Sequence, residues 1–285
     1  QSLPPIKLVT IGSDVNKLSV GNESVLFRHE EKFHHPCGIG FIIEDTLPDS
    51  EIKQRSDKIN KLKFERVGQE LNVDLIAVRQ NKDSKRFIEA IKLLLNNTCL
   101  NLVLMSSDPL ALKEALSITK DKIPLIYCAT PENIDEISKI AKEFKCPVVV
   151  SALDIEKIGE LTQKLNKEGI SDLILDTGRK NIKDKIWDFT QIRRQALKKS
   201  TRSLGYPILA VIESDDPYEE LIEAATYIAK YASIILIKGV APEEALSLLT
   251  LRQNIYTDPQ KPLQIEPKLY PVGQVTDKSP VLVTT

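Results

Sequence analysis

Three residues of metal-ligand type stand close together in the sequence: His34, His35 and Cys37. Adjacent residues on an extended segment point to opposite sides, so His34 and His35 cannot grip one ion together, and two ligands without a third and fourth hold a metal poorly. No bound metal is expected there. A second set has the residue types for proton transfer. Asp176 with Asp45 or with Glu213 would place an acid and a base across one cleft. Glu44, Arg79, Gln80, Ser106, Ser107, Asp108, Thr130, Ser151, Thr177 and Lys238 likewise stand at the ends of apolar runs. A third set is cationic. The run RRQALKKSTR, 193–202, suits a phosphate or an acidic partner, although a solvated last helical turn also collects cations against its own dipole. Trp187 and Phe189 in IWDFTQI read as the apolar face of a helix.

The apolar runs that end in these polar residues give the architecture. There are eight: GIGFIIED (38–45), LIAVRQ (75–80), CLNLVLMS (99–106), PLIYCAT (124–130), CPVVVSA (146–152), DLILDTG (172–178), PILAVIE (207–213) and SIILIKG (233–239). They are nearly continuous rather than alternating, as parallel strands buried on both faces must be. Helical patterns separate them. Ile134, Ile137, Ile140, Ala141 and Phe144 keep to one face, as do Ile155, Ile158, Leu161 and Leu165. Asp108-Pro109, Thr130-Pro131 and Asp216-Pro217 each put a capping side chain before a proline suited to the first helical position. Strand, cap and helix repeated eight times predict an α/β chain of (β/α)8, or TIM-barrel, type over residues 38–256. A doubly wound open sheet is the runner-up, disfavoured by the count of eight and by the lack of a GxGxxG.

Residues 1–37 carry alternating Ile6, Leu8 and Thr10 and a Gly21-Asn22 turn signal, which predict a hairpin arm across the lower mouth of the barrel. Residues 257–285 hold five prolines (259, 262, 267, 271, 280) with no sustained period, and read as an extended linker. The chain is 42% hydrophobic and 28% charged with a net charge of −1, an ordinary globular composition that points neither to nucleic acid nor to a membrane. No apolar run reaches the roughly 20 residues of a membrane helix, and nothing reads as a signal peptide. Cys37, Cys99, Cys128 and Cys146 are isolated, so reduced thiols and a cytoplasmic location are expected. A start without Met and an end at VLVTT, which reads as an unfinished strand, suggest a piece of a longer protein.

Several segments resemble one family. They are SVLFRHEEKFHHP (24–36), FERVGQ (64–69), LNLVLMSSDPLALKEAL (100–116), DFTQIRRQALKKSTRSLGYPI (188–208) and RQNIYTDPQKPLQIEPKLYPVGQVTDKSPVLVTT (252–285). In this order they are similar to the large (gamma) subunit of the corrinoid iron–sulfur protein of the acetyl-CoA pathway. The resemblance implies a TIM barrel between an N-terminal domain with a [4Fe-4S] cluster and a C-terminal corrinoid (cobalamin) domain; the cysteine motif of the first is absent here, and the chain stops where the second begins. It further implies methyl transfer from a methyltetrahydropterin, of folate or sarcinapterin type, through cobalt to the acetyl-CoA synthase/CO dehydrogenase complex. The partners implied are a methyltransferase and a small (delta) TIM-barrel subunit. The barrel itself would be a non-catalytic scaffold. Thr284 and Thr285, which the resemblance places at the entry to the corrinoid domain, are candidate corrinoid contacts. The competing reading makes the barrel a pterin-binding methyltransferase using Asp176 or Asp108; it is weakened by the lack of an Asn at any strand end.

Overall fold

The computed structural model describes residues 4–13, 16–26, 35–256, 271, 275–276 and 278–281. A short antiparallel pair comes first, β1 (Val9–Ile11) with β2 (Leu18–Val20). The repeat begins with β3 (Gly38–Glu44) and α1 (Asp49–Asn60). A small hairpin, β4 (Lys63–Arg66) and β5 (Gln69–Asn72), precedes β6 (Leu75–Arg79) and α2 (Ser84–Leu95). Then follow β7 (Asn101–Met105), α3 (Pro109–Thr119), β8 (Leu125–Ala129), α4 (Ile134–Phe144), β9 (Val148–Ser151) and α5 (Ile155–Lys167). The last three units are β10 (Leu173–Asp176) with α6 (Ile182–Lys198), β11 (Ile208–Val211) with α7 (Pro217–Ala229), and β12 (Ala232–Ile237) with α8 (Pro242–Ile255). The strands β3, β6, β7, β8, β9, β10, β11 and β12 pair in parallel in that order, and β12 returns to β3 to close the barrel. The predicted (β/α)8 architecture is therefore the observed one.

Alternation along the strands makes two cores. Ile39, Phe41 and Ile43 point out toward the helices, while Ile42 joins Ala77, Val103, Val149, Ile174, Leu209 and Leu236 in the lumen. The arm completes the inner layer. Val9, Ile11 and Val20 are at most 1% exposed and pack with Leu75, Leu125 and Ile234, all at or near strand starts. The hairpin thus stoppers the N-terminal end. A Cβ on Gly38 would stand 2.7 Å from Leu18 Cδ2, so the plug seats only because the first barrel strand opens on glycine. At the same end Arg252 of α8 donates to Asp74 Oδ2 (2.5 Å), Cys37 O (3.0 Å) and Asn72 O (2.8 Å), tying the last helix to the first two barrel strands.

Several expectations change in detail. β1 ends at Ile11 and β2 starts at Leu18, and Gly21-Asn22 lies beyond β2, where pairing continues to an Ile6–Glu23 bridge. Gly21 has φ +89°, and a Cβ there would meet Lys7 O at 2.1 Å, so this glycine serves a close backbone approach and not a turn. Leu8 is 40% exposed, because the arm buries Ile6, Val9 and Ile11 instead of a strict alternate set. Asp108 and Asp216 cap their helices as expected, accepting from Leu110 N (2.9 Å) and Tyr218 N (2.8 Å). Thr130 does not: α4 starts at Ile134, and Thr130 N instead donates to Asn133 Oδ1 at 2.7 Å. Phe189 is buried but Trp187 is 64% exposed. Within the cationic run Arg193 is 3% exposed and ion-paired with Glu23, also donating to Val25 O at 2.6 Å, whereas Arg194, Lys198 and Lys199 face solvent. Most of the expected linker, including Thr284 and Thr285, lies outside the described residues.

Candidate functional site

The open end of the barrel is the mouth at the strand C-termini, a cavity of about 740 Å³. Its floor is made where strands stop. Met105 ends β7, Asp176 ends β10 and Val211 ends β11, each with an inward register position. In β8 the pairing with β9 slips between Tyr127 and Ala129, and this bulge lets Tyr127 and Cys128 both pack on the inner side. The Tyr127 hydroxyl donates to Asp176 Oδ2 at 2.5 Å, and Gly178 N donates to Oδ1 at 2.9 Å. Asp176 is 2% exposed, and burial pushes its pKa up. Tyr127 is raised too, by burial and then by the adjacent carboxylate.

Lys185 enters from the first turn of α6. It is buried, its Nζ donates to Val211 O at 2.8 Å, lies 3.8 Å from Glu223 and sits 5.1 Å from the Tyr227 ring centroid. Burial lowers its pKa against the pull of Asp176 and Glu223. Arg79 reaches Glu213 at 3.1 Å and Glu44 at 3.8 Å, Lys180 approaches Glu213 at 3.8 Å, and Arg179 bonds Asp188 at 2.9 Å. Cations and carboxylates around this mouth are thus paired with each other. The arrangement can receive a polar molecule, but a ligand must displace internal ion pairs to bind by charge.

The expected site residues divide accordingly. Asp176, Glu213 and Arg79 line one cavity. Asp45 does not join them: it is fully buried, and its carboxylate accepts from Asn81 N (2.8 Å) and Lys82 N (3.2 Å), so it holds the loop after β6. Gln80 and Ser106 bond each other at 2.5 Å, Asp108 is a cap, Ser107 is exposed, and Thr177 is buried. Lys238 pairs with Asp215 at 3.0 Å, while the backbone N–H groups of Lys238 and Gly239 donate to Glu220 at 2.6 and 2.7 Å. Barrels often bind phosphate on the loop after the last strand; here a carboxylate of the chain takes those donors. Sequence reasoning missed Tyr127, Lys185 and Asn81. Asn81 ends no strand, yet it lines the mouth from two residues beyond β6.

The four cysteines and His35 form no ligand cluster among the described residues. Cys37 is buried and its thiol pushed well up by desolvation; burial raises Cys128 and Cys146 to about 12 each, so these are protonated thiols and not ligand thiolates. His35 is partly exposed and His34 lies outside the described residues. Among the described residues no three His, Cys, Asp or Glu side chains group as metal ligands, so they do not fit an iron–sulfur cluster. No helix among them is long and apolar enough to cross a membrane.

Comparison with known proteins places this barrel. Solved structures with the same fold include dihydropteroate synthase (FolP) from Thermus thermophilus, 12% identical with a TM-score of 0.56 over 78% of this chain and 95% of that one. Mycobacterium tuberculosis Rv1207 is 14% identical with a TM-score of 0.59 over 79% and 94%. These likenesses show the fold. Sequence relatives run much closer. The corrinoid/iron–sulfur protein large subunit of Moorella thermoacetica is 42% identical over 99% of this chain and 64% of its own length. The acetyl-CoA decarbonylase/synthase complex subunit gamma of Methanothermobacter thermautotrophicus is 33% identical over the same shares. The chain thus spans less than two thirds of these relatives. The family model of the CO dehydrogenase/acetyl-CoA synthase delta subunit matches residues 8–285. The chain belongs to that family, and its curated relatives include large and gamma subunits.

Proposed function

We propose that this barrel is the scaffold and subunit-interaction module of a methyl carrier. The whole protein takes a methyl group from a methyltetrahydropterin, of folate or sarcinapterin type, and hands it to acetyl-CoA synthase. A corrinoid supplies the cobalt that holds the methyl group, and a [4Fe-4S] cluster supplies reducing electrons; both sit mainly outside this segment. The observation that carries the reading is the 42% identity with a corrinoid/iron–sulfur protein large subunit along 99% of the chain. The thiols of Cys37, Cys128 and Cys146, each raised by desolvation, agree with a cluster held elsewhere. The partners are the small (delta) barrel subunit, a methyltransferase and the acetyl-CoA synthase/CO dehydrogenase complex, and the setting is the cytoplasm. Thr284 and Thr285 orient the corrinoid with their hydroxyls. To test the division of labour, the 285-residue chain and the full-length chain with its delta partner are purified with added cobalamin. Visible absorption is expected to show bound corrinoid only on the second. Stoichiometric corrinoid on the 285-residue chain would make the barrel the cofactor site.

A second reading, a pterin-binding mouth, gains from Asn81 and Asp176 lining one cavity. Against it, Asp176 already accepts two hydrogen bonds and the surrounding charges are internally paired. Calorimetry of the barrel with methyltetrahydrofolate or its sarcinapterin analogue is expected to show no binding. Micromolar affinity lost in Asp176→Ala would establish the enzyme reading instead.

A further inference from the structure

Lys185 is the one buried lysine among the described residues, and it lines the mouth cavity. A scaffold has no use for an amine there. An ammonium carries three N–H donors and accepts nothing, whereas a neutral amine carries two donors and a lone pair. Among the described residues the only acceptor within hydrogen-bond distance of Lys185 Nζ is Val211 O, at 2.8 Å. Glu223 stands off at 3.8 Å, and its Oε1 already accepts from the Tyr227 hydroxyl. A buried ammonium would therefore leave two donors without acceptors, which is costly, while the amine leaves one. Burial lowers the Lys185 pKa in the same direction, outweighing the pull of Asp176, Glu223 and Glu213. A desolvated amine of this kind is a nucleophile toward carbonyl carbon.

The cavity also holds a proton carrier. Asp176 is buried, and the Tyr127 hydroxyl (2.5 Å) and Gly178 N (2.9 Å) each occupy one of its oxygens. They fix the carboxyl yet leave each oxygen a second lone pair for a proton. Burial raises its pKa, so the group retains a proton into the range where a carboxylate has usually lost it. At the rim, the Lys180 side chain is 89% exposed and approaches Glu213 only at 3.8 Å, beyond hydrogen-bond reach. Its ammonium can turn to an incoming anion without breaking a hydrogen bond. Met105 and Val211 add an apolar floor. An amine below, a rim cation above and a small apolar surface between suit a carbonyl carbon that carries a carboxylate.

We propose that Lys185 is the imine-forming amine of a mouth site for short 2-oxo acids. The Nζ lone pair forms the N–C bond, and the carbonyl π pair moves to oxygen, which takes the proton of Asp176. Nζ returns a proton to Asp176, the hydroxyl leaves as water with that proton, and C=N forms. One amine and one carbonyl thus give one imine and one water. The inference goes beyond the scaffold reading, and neither needs the other. In the test the full-length chain is incubated with glyoxylate and sodium cyanoborohydride, which reduces the imine to a secondary amine that peptide mass spectrometry locates. The adduct at Lys185 is expected to exceed that at exposed Lys183, on the same helix, at least tenfold. Lys180→Gln, at an exposed position, is expected to lower glyoxylate trapping at Lys185 at least threefold relative to acetaldehyde trapping, with circular dichroism unchanged. Adducts spread evenly over exposed lysines, or an unmodified Lys185 in the folded chain, overturn the proposal. Equal effects of Lys180→Gln on the two probes overturn the 2-oxo acid as the ligand.

Discussion

Asp176 and Lys185 share the floor of the mouth, and burial acts against the charged form of both. For Asp176 this becomes a dependence of stability on pH. Its pKa is raised in the folded chain, so the folded state holds the proton more tightly than the unfolded one. That contribution is fully present below the ordinary carboxylate pKa and is lost as pH rises through the raised value. Asp176→Asn keeps the shape and has no proton to lose. Chemical denaturation from the carboxylate range upward is expected to show this part of the decline in the wild type and not in the variant. An unchanged decline would assign the titration to another group. Of this site the sequence disclosed Asp176, Glu213 and Arg79, because each stands at the end of an apolar run. Tyr127 was hidden inside its run, where only a bulge turns it to the carboxylate, and Lys185 was one cation in a polar helix. No local pattern distinguishes a lysine that snorkels into a cavity from one in solvent.

At the scale of the elements, the arm is held by a buried ion pair as well as by its apolar residues. Arg193 of α6 meets Glu23, and both are under 10% exposed. Removing one partner leaves a buried charge, so Arg193→Met is expected to destabilise by about 3–5 kcal/mol. The double substitution Arg193→Met with Glu23→Gln is expected to recover most of that loss in a denaturant titration; equal losses would show that the guanidinium acts by packing alone. The eight strands were legible within a residue or two because burial on both faces forces unbroken apolar runs, and that signal survives in one dimension. The β4–β5 hairpin was not, since KFER and QELN are half-exposed and too charged to show a period. The arm's register was misread at Gly21, where the same glycine signal that marks turns also marks a tight backbone approach.

For the whole molecule, the closed sheet fixes the mouth, and the ion pairs of Arg79 with Glu213 and Glu44 and of Lys185 with Glu223 are made within it. The exposure of Trp187 was invisible in the sequence, where it reads as one more core aromatic of α6. Only the angle around the helix separates it from Phe189. The stoppered lower end has a kinetic consequence. A barrel sealed at one pole cannot admit water to its lumen from that side without unseating Val9, Ile11 and Val20 from the inner layer. Amide protons of β3, β6 and β7 are therefore expected to exchange with deuterium only through global unfolding, with opening free energies equal to the denaturant value. Those of the loop at 177–181 exchange through local opening. Faster exchange at the strand starts than at the rim would mean that the arm detaches as a unit of its own. Otherwise the lumen has a single entrance, and any molecule within it keeps time with the rim.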